Sequence, residues 1–122
     1  MSPRVDVLFG STKRIQTGCG NLYITLNKNE EDIPIEAFVR LGKAGGCASC
    51  QTEAIGRLIT VALRAGVPIS DITRQLKGIG CHQPIGFGMK KVLSCADAVA
   101  ICLQDFIPIK GETEHERNSE VV

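Results

Sequence analysis

Leu22, Ile24 and Leu26 alternate with Tyr23 and Thr25, the period-2 pattern of a strand with one buried face. After the polar run Asn27-Lys28-Asn29-Glu30-Glu31-Asp32, a second alternation sets Ile33, Ile35, Ala37, Val39 and Leu41 against Glu36, Phe38 and Arg40. Two such runs around a short polar loop predict an antiparallel hairpin. The period then lengthens. Glu53, Arg57, Thr60 and Arg64 recur at spacings of four, three and four, which marks the polar side of a helix and leaves Ile55, Leu58, Ile59 and Ala62 for its core face. Gly66 and Pro68 stop that helix. Ser70 is expected to cap a short second helix, running to about Leu76-Lys77 and closed by Gly78. Residues 78–91 read as a loop bearing Cys81, His82, Pro84, Gly86 and Gly88. Ser94 predicts the N-cap of a third helix, with Asp97 at N3 and Val99, Cys102 and Phe106 as its apolar stripe.

The flanks lack such patterns. Residues 1–13 read as a loosely ordered lead-in and 14–107 as the folded domain. Residues 108–122 carry Glu112, Glu114, Glu116 and Glu120 without apolar periodicity, so a disordered acidic tail is expected there. The expected fold class is α+β: an antiparallel β-hairpin followed by about three helices.

Composition narrows the function. The chain has 122 residues, enough for one domain, and 43% of them are hydrophobic. Its net charge of +1 removes the usual electrostatic case for duplex binding, and 4% aromatic content weakens a base-stacking platform for single strands. No apolar run approaches the ~20 residues of a membrane span. The first ten residues include Arg4 and Asp6 and do not read as a signal peptide. A cytoplasmic, reducing setting is therefore expected, in which six cysteines are not three disulfides.

Cys19 stands just before the first expected strand, Cys47 at the start of the first helix, Cys81 in the long loop and Cys95 at the start of the last helix. Backbone at element ends can bend to aim four thiolates at one zinc ion, and helix N-termini favour thiolate at Cys47 and Cys95. The separations of 28, 34 and 14 positions match no short zinc-finger spacing. Cys102, two helical turns beyond Cys95, reads as a small buried hydrophobe. Cys47-Ala48-Ser49-Cys50 is a C-x-x-C, open to zinc or to dithiol redox chemistry, although a thioredoxin-like reading would want a βαβ unit around it. His82 next to Cys81 is a further candidate ligand, and His115 is assigned nothing. Gly18-Cys19-Gly20 and Gly42-Lys43-Ala44-Gly45-Gly46 fit neither common phosphate-loop pattern. Lys43 ahead of a helix nevertheless leaves anion binding open. Glu53, Arg57 and Arg64 read as a solvated helix face, and no hydrolase constellation is evident.

Several stretches carry a resemblance. Thr17-Gly18-Cys19-Gly20-Asn21-Leu22-Tyr23 is similar to the opening motif of the TSCPD domain. Gly42-Lys43-Ala44-Gly45-Gly46-Cys47-Ala48 leads into Gln51-Thr52-Glu53-Ala54-Ile55-Gly56-Arg57, which also resembles it. Gln75-Leu76-Lys77-Gly78-Ile79-Gly80-Cys81 and Ser94-Cys95-Ala96-Asp97-Ala98 complete the series, and the resemblance covers roughly residues 14–106. That domain forms the C-terminal region of cobalamin-dependent ribonucleotide reductases and also occurs as small stand-alone proteins. The resemblance implies a structural zinc ion whose ligands fall on Cys19, Cys47, Cys81 and Cys95. It also speaks against redox chemistry, since the family typically lacks a cysteine at the position of Cys50. Ala96, where the naming motif has proline, and His82, where proline is frequent, are departures that remove no implied ligand.

Catalysis does not carry over, because a reductase of that class needs a large barrel and a cobalamin site. The resemblance therefore implies a non-catalytic zinc-stabilised module, with a protein partner such as a ribonucleotide reductase or another nucleotide-related enzyme. The alternatives are a dithiol electron carrier through Cys47 and Cys50 and, more weakly, nucleotide or nucleic-acid binding through Lys43, Arg57 and the glycine-rich turns.

Overall fold

The two alternating runs between residues 20 and 41 do pair as an antiparallel hairpin, but a third strand precedes them. The computed structural model describes residues 6–42 and 46–106. Its elements are β1 (Phe9–Thr17), β2 (Gly20–Lys28), β3 (Pro34–Leu41), α1 (Gly46–Arg64), α2 (Ile69–Leu76), a 3-10 turn at Gly88–Lys90, and α3 (Cys95–Gln104). The sheet runs β1-β2-β3, so the arrangement is α+β, a three-stranded antiparallel sheet followed by three helices. The expected lead-in is corrected from residue 9 onward, because residues 9–13 pair with β2 from Phe9↔Lys28 to Lys13↔Ile24. Residues 108–122, expected as a tail, lie outside the described residues. None of the described helices is long and apolar enough to cross a membrane.

The central strand β2 buries Leu22, Ile24 and Leu26 completely or nearly so. In register they face Leu41, Val39 and Ala37 of β3, so one pleat face is continuous hydrocarbon. The alternation breaks at the start of β3, where pairing passes from Asn27↔Glu36 to Lys28↔Pro34 and leaves Ile35 as an extra residue. This bulge lets Ile35, Glu36 and Ala37 all be buried in succession, while Ile33 is left 49% exposed in the turn. Asn29 closes that turn by accepting the N–H groups of Glu31 and Ile33 on its side-chain oxygen. Buried Glu36 accepts a 2.6 Å bond from the Asn27 amide.

Helix α1 lies along the free edge of β3. The Thr60 hydroxyl accepts the Ala37 N–H at 2.9 Å and donates to the Ala37 carbonyl at 3.0 Å, closing an edge position that has no strand beside it. Gly56 permits the approach, since a Cβ there would stand 3.0 Å from the Val39 nitrogen. The buried stripe of α1 is therefore Thr52, Gly56, Ile59 and Leu63. The expected core face is corrected at Leu58, which is 70% exposed, while Ile55 and Ala62 are partly buried against the core. A 6→1 bond from the Val67 N–H to the Ala62 carbonyl ends the helix at Gly66, which takes a φ of +91°.

Pro68, not Ser70, is the N-cap of α2, and no side chain caps it. α3 starts as expected, with the Ser94 side chain accepting the Asp97 N–H at 3.0 Å. The Asp97 carboxylate is itself buried, taking the Gly78 N–H at 2.8 Å and the Leu93 N–H at 3.0 Å. It thus fastens the end of α2 to the start of α3. Ala98, Val99, Cys102 and Leu103 close the core from the α3 side.

Candidate functional site

β1 and β2 join through the two-residue turn Gly18-Cys19, since Thr17 pairs with Gly20. Cys19 accordingly sits at the tip of a tight hairpin between two strands, not ahead of the first. The Thr17 hydroxyl organises this tip: it accepts the Cys19 N–H at 3.1 Å and donates to the Gly20 carbonyl at 2.9 Å. The same oxygen lies 3.6 Å from the Cys95 sulfur. Cys95 is the first residue of α3, directly after the Ser94 cap.

The loop bearing Cys81 closes on the same place. The Cys81 N–H donates to the Leu93 carbonyl at 3.0 Å, tying it to the segment that leads into α3. Two residues on, the Gln83 N–H donates to the Cys81 sulfur at 3.3 Å, and the Cys19 thiol donates to Gln83 Oε1 at 3.7 Å. A Cβ on Gly18 would fall 1.9 Å from the Gln83 carbonyl oxygen, so only glycine allows this loop to lie on the hairpin tip. Cys19 in the turn is thereby linked to Cys95 at a helix start through Thr17 and to Cys81 in the loop through Gln83.

Their electrostatics agree with that placement. Partial burial, then the charge and hydrogen bond of Cys95, then the charge of Cys81, push the Cys19 thiol above its ordinary value. A thiol that resists ionising beside two others suits a cation, whose charge would favour its thiolate. As they stand, no group of three or more His, Cys, Asp or Glu among the described residues is gathered to hold a metal ion.

The other candidates lie apart. Cys47 and Cys50 are both exposed, on the opening turn of α1. No hydrogen bond or electrostatic coupling joins Cys47 to Cys19, Cys81 or Cys95 in the described contacts. His82 is exposed beside Cys81. Cys102 is buried in the core, where burial and then Asp105 push its thiol up to about 11, against a smaller opposing pull from Lys13. Lys43 lies outside the described residues. Arg57 forms an exposed pair with Glu53 at 2.7 Å, as expected of a solvated helix face.

Two residues at this site were not singled out from the sequence: Thr17, which orders the hairpin tip, and Gln83, which touches two cysteines. A threonine directly before a Gly-Cys turn is a readable signal; Gln83 has none, since only the tertiary approach across Gly18 brings it there.

The family model for the TSCPD domain matches residues 2–107. No curated protein and no solved structure gives a match. With the match running through all three strands and all three helices, the chain belongs to the TSCPD domain family.

Proposed function

We propose that the chain is a non-catalytic binding module whose elements are tied together by a structural zinc ion held by Cys19, Cys81, Cys95 and Cys47. The observation that carries this reading is the linking of Cys19 to Cys95 through Thr17 and to Cys81 through Gln83, three cysteines from separate elements. Cys47, at the start of α1, is the fourth donor in this reading. Four thiolate ligands would leave no open position for water, so the ion would supply stability and no hydrolytic chemistry. The chain's own residues position the donors: Thr17 fixes the hairpin tip, Gln83 spans Cys19 and Cys81, and Ser94 starts α3 at Cys95. In this reading the partner is a protein of the ribonucleotide reductase or nucleotide-handling class, met in a reducing cytoplasm.

Metal content per chain tests the assignment. Zinc near one per chain is expected for the wild type, with loss in Cys19→Ser, Cys47→Ser, Cys81→Ser and Cys95→Ser and retention in Cys50→Ser and Cys102→Ser. A strong chelator should abolish the far-UV circular dichroism of the fold. A zinc-free chain from zinc-supplemented cells that keeps its full signal would sink the proposal.

A second reading draws on one observation, the joint exposure of Cys47 and Cys50 one helical turn apart. As a dithiol the pair would lose two electrons and two protons to form a disulfide, reducing an acceptor disulfide to two thiols. Rapid alkylation of both thiols, and loss of electron transfer in Cys50→Ser with zinc unchanged, would favour it.

A further inference from the structure

Among the described residues, only one side of the sheet is packed by the helices. On the other, the register sets Arg14, Tyr23 and Arg40 in a row across the strands, with Thr12, Thr25 and Phe38 as the row beside it. The Arg40 guanidinium lies over the Tyr23 ring, 5.6 Å from its centroid. The Thr12 and Thr25 hydroxyls are 2.6 Å apart. Phe38 stands 56% exposed, unusual for a ring this central in a small domain. Because α1 runs along the β3 edge, Glu53, Gly56, Arg57 and Thr60 raise one wall beside this floor and enclose a trough of about 900 Å³.

Three arginines stand on this face against two carboxylates, Glu36 and Glu53, both of which line the trough. Arg14, Arg40 and Arg57 are all exposed. Of the nearby carboxylates, Glu36 is buried and receives the Asn27 amide, and Glu53 is engaged in an exposed i,i+4 pair with Arg57 that a stronger anion can displace. Two of the chain's five aromatic side chains, Tyr23 and Phe38, are diagonal neighbours here. Phe38 and Arg40 lie two positions apart on one face, about 7 Å along the strand, which is on the scale of the reach from a nucleobase to its 5′-phosphate.

From this juxtaposition we propose that the open sheet face binds a nucleoside diphosphate or triphosphate, with the base on the Phe38 ring and the phosphates on Arg40 and Arg57. An aromatic ring and a planar guanidinium both stack on bases, and a guanidinium fork grips phosphate oxygens in pairs. The trough has the volume of a small-molecule site. A longer strand would need a track of cations and further stacking rings, which a chain of net charge +1 with 4% aromatic residues does not offer. The inference rests on the binding role proposed above but not on the metal, as no cysteine lines the trough.

Isothermal titration of the full zinc-loaded chain with ADP, with pyrophosphate and with a 12-nucleotide RNA tests it. ADP should bind, and Phe38→Ala should weaken it about tenfold, the order of one lost base–aromatic stack, while leaving pyrophosphate binding unchanged. Phe38→Leu, which keeps the bulk and loses the π face, should behave alike. Arg40→Gln should weaken ADP and pyrophosphate together, and Arg74→Gln on α2 neither. No ADP binding, ADP binding that survives both Phe38→Ala and Arg40→Gln, pyrophosphate bound as tightly as ADP, or RNA bound in preference to ADP would each overturn the proposal. Zinc content in the same samples separates the two readings: intact metal without ADP binding removes the ligand alone, and ADP binding by a metal-free folded chain removes the metal alone.

Discussion

Asp97 shows how a single side chain can do more than its place in the sequence announces. As the N3 residue of α3 it was legible as a helix-start carboxylate, and the cap at Ser94 was legible with it. That its two oxygens take the N–H groups of Gly78 and Leu93 was not, because those donors arrive from outside the helix. Asp97→Ala strands both donors in a buried setting and is expected to cost about 2–4 kcal/mol, read as a lower urea midpoint at unchanged slope. Asp97→Asn keeps one acceptor and should cost less. Cys102 gives a prediction in pH. Its thiol ionises near 11 in the fold and at 9.0 when free of it. Above pH 9 the unfolded chain releases this proton while the folded chain keeps it, so stability should fall as pH rises toward 11. Below pH 9 the contribution is fully present. The stability difference between wild type and Cys102→Ala, measured from pH 7 to 11, should therefore stay flat and then turn against the wild type.

Between elements, the points that sequence reasoning missed share a cause: positions that are inward but not apolar. β1 presents Ser11, Lys13, Ile15 and Thr17 opposite Leu26, Ile24, Leu22 and Gly20, so just one of its four inward positions is aliphatic and no period shows. Lys13 fits there by sending its ammonium to Asp105, 3.3 Å away, and over the Phe106 ring. On α1 the polar letters Thr52 and Gly56 belong to the buried stripe, which is why Leu58 was wrongly placed inward. β2 and α3, by contrast, read correctly because the side chains they pack into the core are apolar, Leu22, Ile24 and Leu26 on one and Ala98, Val99, Cys102 and Leu103 on the other. The Thr60 contact belongs to this scale. Thr60→Val keeps shape and removes the hydroxyl that both accepts from and donates to Ala37, so it should destabilise by about 1–3 kcal/mol. Hydrogen exchange at the Ala37 amide should quicken as well.

At the scale of the whole molecule, the candidate site is assembled from residues far apart in the chain. The cysteine positions themselves could be read as element ends, which singled out Cys19, Cys47, Cys81 and Cys95. Which of them meet depends on the 81–83 loop resting on the hairpin tip, and that rests on the absent side chain of Gly18. Gly18→Ala alters no candidate ligand, yet its methyl would force the Gln83 carbonyl away. It is expected to lower zinc content and thermal stability together, measured on the same purified chain; full metal occupancy in this variant would separate the loop contact from the site.

The position of α1 along β3 also bears on how copies of the chain can associate. A sheet grows by adding strands at its edges, and open-ended growth needs two of them. Here the β3 edge is covered by a helix whose Thr60 already takes the Ala37 N–H and carbonyl. Among the described residues only the outer edge of β1 has no strand or helix laid along it. Any pairing through strand edges would thus join two copies β1 to β1 and then stop, with a helix closing each end. Self-association by this route terminates at a pair, and a fibre is not among its products.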